Sequence, residues 1–182
     1  MVERLHGKRV ALLVADGFEQ IELTEPKRAL EEAGASAEIV SPADGKVKGW
    51  KHTHWGDEFD VDVALDSASE SDFDALVLPG GVMNPDALRQ NEKAVTFVQG
   101  FFDHHKPVAA ICHGGWTLAE ADVLQGRRVT SYPSIQTDLK NAGAVWVDEE
   151  VVVDDGLVTS RNPHDLPAFT TKLVEEIAES RP

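Results

Sequence analysis

The sequence predicts an α/β fold in which helices cover both faces of a mostly parallel sheet. Two observations support this prediction. Short, continuously apolar runs, which are typical of strands buried on both faces, recur along the chain. Segments with helical spacing of apolar residues stand between them, and this alternation favours parallel strands joined by helices. In such folds, ligands bind beyond the carboxyl ends of the strands.

Three strands and one helix are predicted in the first half of the chain. The strands correspond to apolar runs at residues 9–16, 37–40 and 74–78. Residues 20–33 predict a helix, in which Pro26 is tolerated only near the first turn and after which Gly34 marks the end. Residues 44–60 show little periodicity and are predicted to form a loop or hairpin insertion.

The second half of the chain continues the alternation. Strands are predicted at residues 107–111, 145–147, 151–153 and 157–159. Helices are predicted at residues 91–105 and 114–121, and at a final segment whose apolar stripe is Leu166, Phe169, Leu173 and Ile177. The turn Asp154-Asp-Gly156 joins the last two strands. Asp165 is predicted as the N-cap of the final helix, with Pro167 in its first turn.

The length of 182 residues predicts a single domain, residues 1–182, because no linker, repeat or low-complexity segment divides the chain. Hydrophobic residues make up 42% of the sequence and charged residues 27%, which excludes a disordered chain. No apolar run approaches the roughly 20 residues of a membrane span, and no signal peptide is recognised. These features predict a cytoplasmic protein.

The charge balance is strongly acidic, with 17 Lys and Arg residues against 32 Asp and Glu residues and a formal net charge of −15. Such a chain repels a nucleic-acid backbone, so a stable nucleic-acid partner is not expected. A single cysteine excludes an intramolecular disulfide and a multi-cysteine metal cluster. The sequence has no phosphate-loop or dinucleotide-binding fingerprint, and no cofactor is predicted.

Cys112 lies where a predicted strand meets a predicted helix, in the segment Ala110-Ile-Cys-His-Gly114. Small residues two positions on either side of a nucleophile are typical of a nucleophile elbow, a strained turn that exposes the nucleophile. Unpaired N–H groups at the start of the following helix favour a thiolate, so we expect a thiol pKa below the free value of about 8.5. The alternative is a buried structural cysteine.

Six short motifs occur together in a specific order. They are Leu78-Pro-Gly-Gly81, Ala110-Ile-Cys-His-Gly114, Thr130-Ser-Tyr-Pro133, Asn141-Ala-Gly143, Glu150-Val-Val-Val-Asp154 and Val158-Thr-Ser-Arg161. With this set the chain resembles the PfpI-type branch of the ThiJ/PfpI superfamily, relatives of class I glutamine amidotransferases, over nearly all its length. The resemblance implies a flavodoxin-like α/β sandwich that assembles as dimers or hexamers. The family activities that it implies are cysteine peptidase, glutathione-independent glyoxalase and deglycase, in a stress-response context.

The resemblance also implies roles for residues beside Cys112. Glu19 matches the family glutamate that reaches the cysteine from the end of the first strand, where a protonated carboxyl would serve as general acid or base. Gly80 and Gly81 match the turn that faces the cysteine, and an N–H there, with that of His113, is expected to bind a substrate oxyanion. The alternatives are an exposed glutamate at a helix start and a simple tight turn.

His113 directly follows the nucleophile, and consecutive side chains on a sharp turn point in different directions, so a Cys–His pair within one chain is not expected. In the peptidase members, the resemblance implies that an acid from a neighbouring subunit orients this histidine. That acid aligns with Asp86, but one inserted residue precedes it and the family peptidase has glutamate there. A helix N-cap is the alternative role for Asp86.

The residues that follow the cysteine motif differ from those of many relatives. Many relatives have proline after Cys-His-Gly, whereas this chain has Gly115 and Trp116, which loosen the helix start and add bulk near the site. A different substrate preference is therefore expected.

His52 and His54 would share one face of a strand, which would suit two ligands of a metal ion. No third ligand stands at suitable spacing, and no metal site is predicted.

Three hypotheses about function follow. The first is a cysteine-dependent stress-response enzyme acting on reactive carbonyls, of glyoxalase or deglycase type, with Cys112 as nucleophile and Glu19 as acid/base. The second is an intracellular cysteine peptidase that uses Cys112, His113 and an acid from a neighbouring subunit. The third is a redox-sensing or chaperone-like protein that responds through oxidation of Cys112. The expected partners are small carbonyls, glycated or peptide substrates, and further copies of the chain.

Overall fold

The computed structural model describes residues 4–180, and the ends of the predicted domain, residues 1–3 and 181–182, lie outside the described residues. The strands are β1 Arg9–Leu13, β2 Phe18–Glu19, β3 Ser36–Ser41, β4 Lys46–Lys51, β5 His54–Asp60, β6 Val63–Ala64, β7 Ala75–Leu78, β8 Val108–Ile111, β9 Arg128–Val129, β10 Val145–Trp146, β11 Val152–Asp154 and β12 Leu157–Ser160. The helices are α1 Ile21–Glu32, α2 Met83–Arg89, α3 Glu92–Asp103, α4 Gly115–Glu120, α5 Gln136–Asn141 and α6 Leu166–Glu179.

Seven of the strands form one sheet in the order β11-β12-β8-β7-β1-β3-β6. Neighbouring strands in this sheet are parallel, except that β11 pairs antiparallel with β12 at one edge. The other strands form two small sheets, β2-β4-β5 and β10-β9. Because β1, β7 and β8 lie side by side in the main sheet, their carboxyl ends meet at one place, where open α/β sheets bind ligands.

Two apolar layers pack against opposite faces of the main sheet. Val10 and Leu12 of β1 belong to the layer that contains α1 and α6, whereas Ala11 and Leu13 belong to the layer that contains α2, α3, α4 and α5. Successive side chains of a strand point to opposite faces, so burial on both faces explains the continuous apolar run of β1. The predicted fold class, a mostly parallel sheet with helices on both faces, is confirmed.

Most elements lie within a few residues of their predicted bounds, and the differences are local. Residues 44–60 form the hairpin β4-β5, one of the two predicted alternatives, whereas the short helices α2 and α5 were not predicted. Pro26 is the sixth residue of α1 instead of lying in its first turn. It removes the N–H that would bond the Glu22 carbonyl without ending the helix. Asp165 is the N-cap residue of α6, as predicted, but its carboxylate accepts hydrogen bonds from Arg161.

Candidate active site

Cys112 lies directly after β8, where the chain turns into α4. Its φ is 61°, in the left-handed region that residues with a side chain seldom adopt. Gly114 permits this turn, because a Cβ there would lie 2.6 Å from the carbonyl oxygen of Leu78. The predicted strained turn between strand and helix is therefore confirmed, and steric contact with Leu78 explains why the residue at position 114 is glycine.

Gly80 and Gly81 follow β7 and lie beside the cysteine turn. A Cβ on Gly80 would lie 2.5 Å from Glu22 Oε1 and 2.6 Å from Cys112 Cβ. Gly81 has a φ of 79°, and a Cβ on it would lie 2.6 Å from the carbonyl oxygen of Gly17. Both positions require glycine: a side chain on Gly80 would separate the carboxyl and thiol groups that meet there, and one on Gly81 would clash with the backbone of the β1–α1 connection.

The backbone N–H groups at this point already have partners. Gly80 N–H donates to Glu22 Oε1 at 2.9 Å. The N–H groups of Gly81 and His113 interact with the thiol of Cys112. Of the N–H groups expected to bind an oxyanion, that of Gly80 is therefore engaged by a carboxyl, and those of Gly81 and His113 are the ones beside the sulfur.

Asn84 fixes the glycine turn to the sheet. Its Nδ2 donates to the carbonyl oxygens of Pro79 and Gly80 at 3.0 and 3.1 Å, and its Oδ1 accepts from Ala15 N–H at 2.7 Å. The side chain is fully buried, so these hydrogen bonds do not compete with water. Asn84 thereby joins the segment after β1 to the segment after β7.

The carboxyl group beside Cys112 belongs to Glu22, and the expectation that Glu19 occupies this place is corrected. Glu22 is fully buried in the first turn of α1 and binds Gly80 N–H. Glu19 is half-buried at the end of β2, and its Oε2 accepts from His52 N–H at 3.1 Å. The reason is the start of α1 at Ile21, which places Glu22 in the first helical turn against the glycine turn.

Burial controls the protonation of this carboxyl and thiol. Burial raises the pKa of Glu22 to about 8, and the negative charge of Glu19 adds to the effect. Glu22 is therefore protonated at neutral pH. Its Oε2 has no hydrogen-bond partner among residues 4–180, so a proton there is free to face the thiol or a ligand.

The thiol pKa departs from the expected direction. Burial is the largest cause and raises the pKa of Cys112, as does negative charge on Glu22 and Glu19, while the N–H groups of Gly81 and His113 lower it. Neither N–H belongs to α4, which begins at Gly115, and together they do not outweigh the burial of a side chain that is 7% exposed. A proton on Glu22 removes the largest of the opposing charges.

His113 contacts the nucleophile within one chain, contrary to expectation. Its Nδ1 lies 3.2 Å from Cys112 Sγ, and its Nε2 lies 3.2 Å from Ser134 Oγ. A 3-10 turn begins at Cys112 and brings the two consecutive side chains together. The ring is stacked on Tyr132 with centroids 4.7 Å apart, and burial lowers the pKa of His113. The imidazole is therefore neutral at neutral pH.

A cavity of about 810 Å³ lies over the Cys112 thiol. Its walls come from the β1–α1 connection, the β4-β5 hairpin, the segment after β7 and the turns that precede α5 and α6. Besides the residues already described, its lining includes Ile21, Trp50, Val82, Met83, Asn162 and His164. Apolar walls with a few polar groups directed at a nucleophile are typical of a small-molecule site.

His52 lies in the turn between β4 and β5 with a φ of 56°, so it does not share a strand face with His54. In the part of the chain that the structure describes, no three His, Cys, Asp or Glu side chains are grouped so as to hold a metal ion.

Within residues 4–180, none of the helices is both long enough and apolar enough to cross a membrane.

Asp86 and Trp116 lie outside the cavity lining of their own chain. Asp86 is exposed in the first turn of α2, whose N-cap residue is Val82, so the N-cap alternative for Asp86 is wrong. Trp116 meets the His113 ring edge-on with centroids 5.1 Å apart and donates from Nε1 to Asp138 at 2.9 Å. Trp116 therefore adds bulk behind His113 rather than in the cavity.

Sequence reasoning missed three residues of this site: Glu22, Asn84 and Ser134. Glu22 has the same chemistry as Glu19 three positions earlier, and only the start of α1 distinguishes them. Asn84 stands beside Asp86, but its burial depends on α2, which the sequence did not indicate. The contact of Ser134 with His113 joins residues 21 positions apart and had no signal in the sequence.

Three curated relatives are similar to this chain. General stress protein 18 of Bacillus subtilis is 47% identical over 90% of this chain and 94% of its own length. A deglycase of Thermococcus kodakarensis is 47% identical over 92% of this chain and 98% of its own. YraA of Bacillus subtilis, provisionally named a cysteine protease, is 46% identical over 90% of this chain and 94% of its own.

Solved structures and family models agree with these relatives. The crystal structure of Drosophila melanogaster DJ-1beta superposes with a TM-score of 0.85 at 30% identity, covering 95% of this chain and 91% of that chain. The model of the DJ-1/PfpI family matches residues 8–176. That range contains the cysteine turn, the glycine turn and both glutamates, and on this evidence the chain is a member of the DJ-1/PfpI family.

Proposed function

We propose that this protein is a cysteine-dependent enzyme of stress responses that acts on reactive carbonyl compounds, with Cys112 as nucleophile and Glu22 as acid/base. The observation that carries the proposal is the meeting of a thiol on a strained turn with a buried, protonated carboxyl across one glycine. The names of two relatives, a deglycase and a general stress protein, support the same class of activity.

The first step adds the thiol to an aldehyde. The Cys112 sulfur forms a bond to the aldehyde carbon of methylglyoxal while the carbonyl oxygen gains a proton, so thiol and aldehyde give a hemithioacetal. The protonated carboxyl of Glu22 supplies the oxygen with its proton and is left ionised, while the proton of the thiol passes to Nδ1 of His113. The N–H groups of Gly81 and His113 stabilise negative charge that develops beside the sulfur.

The second step moves a proton between carbons. Ionised Glu22 removes the proton from the carbon bonded to sulfur, and the enediol that forms is protonated at the neighbouring carbon, which yields a thioester of lactate. Water then hydrolyses the thioester, and the leaving sulfur takes its proton back from His113, so methylglyoxal and one water give lactate and a proton and the thiol is regenerated. A carboxyl whose pKa is near 8 is suited to both roles, because it gains and loses its proton close to neutral pH.

The cavity suits a substrate larger than methylglyoxal. A volume of about 810 Å³ far exceeds that of a three-carbon dicarbonyl, and apolar side chains line much of it. A carbonyl adduct carried on an amino-acid side chain would fill more of this space, and its release would begin from the same bond to sulfur. We therefore include deglycation in the proposed activity.

Lactate formation tests the proposal directly. The wild type and Cys112→Ala are incubated with methylglyoxal in the absence of glutathione, and lactate is followed by proton NMR. Repeated turnover by the wild type and none by the variant is the expected result, since loss of methylglyoxal alone also reports reversible adducts. Equal lactate from both proteins would remove the basis of the proposal.

Peptide hydrolysis is the second candidate, because Nδ1 of His113 lies 3.2 Å from the sulfur and one relative is provisionally named a cysteine protease. In that reaction His113 takes the thiol proton and returns it to the leaving amine. Asp86 is exposed on its own chain, so it would serve this reaction only from a neighbouring subunit.

Gel filtration coupled to a fluorogenic peptide assay tests this candidate. Peptidase activity that appears only in assembled fractions, and that Asp86→Asn diminishes, would support it. Activity in a monomeric fraction would remove the role of a neighbouring acid, and absence of activity in every fraction would remove the candidate itself.

A further inference from the structure

We propose that Ser134 is a positioning residue that holds the His113 ring with Nδ1 toward the Cys112 sulfur and with its proton on Nε2. This inference deepens the proposed function, on which it rests only for the importance of the Cys112 thiol. Two hydrogen bonds carry it, each 3.2 Å long, from opposite nitrogens of one imidazole to Cys112 Sγ and Ser134 Oγ.

Aromatic contacts fix the plane of the His113 ring without choosing its orientation. Tyr132 stacks on the ring at an interplanar angle of 26°, and Trp116 meets it edge-on at 68°. A half-turn about the Cβ–Cγ bond would preserve both contacts, but it would replace Nδ1 by a carbon opposite the sulfur. Only the hydrogen bonds to Cys112 and Ser134 distinguish the two orientations, since both nitrogens lose their partners after the half-turn.

The direction of the proton follows from the surroundings of the two groups. Burial keeps the proton on the Cys112 thiol and keeps the imidazole neutral. A neutral imidazole carries one N–H, and the nitrogen that accepts from the thiol cannot also be protonated. The proton therefore lies on Nε2, which donates to the oxygen of Ser134 and leaves Nδ1 free to accept the thiol proton.

The segment that contains Ser134 is tied to the cysteine turn by its backbone. Tyr132 N–H donates to the carbonyl oxygen of Cys112 at 3.1 Å, and the next three residues form a 3-10 turn that presents Ser134. Two neighbouring positions thus supply the stacking surface and the hydroxyl group. Within one chain, therefore, Tyr132 and Ser134 both contact the His113 ring.

Nitrogen-15 NMR of the histidine rings and the rate of Cys112 alkylation by iodoacetamide test this inference at fixed neutral pH. We expect the wild type to show a protonated Nε2 and an unprotonated Nδ1 for His113. We expect Ser134→Ala to slow alkylation about three- to tenfold, the effect of one neutral hydrogen bond. Ser134→Thr, which keeps a hydroxyl group, should return the rate to within about twofold of the wild type.

Thr137→Ala is the matched control, because it removes an exposed hydroxyl group three residues further along the chain and should leave alkylation unchanged. A wild-type ring protonated on Nδ1 would overturn the inference, and so would equal alkylation rates for Ser134→Ala and Thr137→Ala. Neither readout requires turnover of a carbonyl, so a failure of this inference and a failure of the proposed function are distinguishable.

Discussion

The cysteine turn (residues 110–115) and the carboxylate segment (residues 16–22) reach the same point of the molecule by different physical means. Backbone geometry holds the cysteine turn: Cys112 is left-handed, and Gly114 packs against the carbonyl oxygen of Leu78. A side chain holds the carboxylate segment, because Glu22 is placed by its hydrogen bond to Gly80 N–H. The position of the nucleophile is thus fixed by the chain, whereas that of the carboxyl depends on burial of an ionisable group.

Because of this difference, each segment lowers the stability of the fold in its own way. A single residue in the left-handed region costs on the order of 1–3 kcal/mol at any pH. A buried carboxyl costs little while it is protonated and progressively more when the solvent favours its ionised form. The carboxylate segment should therefore respond to pH, and the cysteine turn to changes in bulk.

The largest expected effect comes from removing the acidic proton of the carboxylate segment. Glu22→Gln keeps an oxygen to accept from Gly80 N–H but cannot exchange a proton with substrate, so kcat/KM for lactate formation should fall about 100-fold or more. Glu19→Gln is the matched control, because that residue contacts His52 N–H instead, and we expect a loss below about tenfold. The reverse order of the two losses would restore Glu19 as the acid/base.

The second prediction concerns the pH dependence of stability. The pKa of Glu22 is about 8 in the folded protein against an ordinary value of 4.5, so the folded state keeps a proton that the unfolded state releases. The contribution of this group to the free energy of unfolding is fully present below pH 4.5. It decreases as the pH rises from there toward 8, by up to about 1.4 kcal/mol per pH unit.

Urea unfolding of the wild type and Glu22→Gln measures this effect. When the pH is raised from about 5.5 to about 7.5, the free energy of unfolding of Glu22→Gln should rise by about 3 kcal/mol relative to that of the wild type, because the variant has no proton to release on unfolding. Parallel pH profiles for the two proteins would show that Glu22 titrates alike in the folded and unfolded states.

A methyl group between the two segments should have a smaller effect. Gly80→Ala places a Cβ 2.5 Å from Glu22 Oε1 and 2.8 Å from the carbonyl oxygen of Ile111, so we expect a loss of about 2 kcal/mol in the free energy of unfolding. Gly115→Ala is the control, because its Cβ would meet the flexible ends of side chains, those of Leu139 at 3.1 Å and Ile135 at 3.7 Å, instead of backbone. Equal losses in denaturant unfolding would contradict the steric role of Gly80.

The smallest expected effect lies behind the cysteine turn. Trp116→Phe keeps an aromatic ring beside His113 but removes the Nε1–H that donates to Asp138, which should lower the free energy of unfolding by about 1 kcal/mol. Lactate formation should change less than about threefold, since Trp116 does not line the cavity. A large fall in kcat/KM with unchanged stability would mean that Trp116 acts through His113.

The sequence predicted the fold well because the relevant patterns are local. The apolar run of β1 and the helical spacing of α3 each depend on neighbours within one element, and burial on two faces of a sheet leaves a clear pattern. The helix α2 has only seven residues, too few for a period to emerge. Pro26 was expected near the first turn of the helix, but it is the sixth residue of α1, which continues through it because Leu23 and Leu30 are buried against the sheet.

The candidate site was predictable only in part, for a related reason. The strained turn at Cys112 requires small neighbours, and these are visible in the sequence as Ala110 and Gly114. The choice between Glu19 and Glu22 depends on where α1 begins, and helix boundaries are the least reliable part of such predictions. The contact between Cys112 and His113 depends on the 3-10 conformation of the turn, which spacing did not reveal.

The reactive groups and part of the cavity walls come from different parts of the fold, so the walls can change in evolution without changing the reactive groups. Cys112, Gly80 and Glu22 meet at the carboxyl ends of adjacent strands, whereas residues such as Asn162 and His164 come from the connection between β12 and α6. Loops tolerate substitution better than the elements they join. A lineage can therefore exchange one substrate for another by altering the walls, while selection keeps the nucleophile and its carboxyl unchanged.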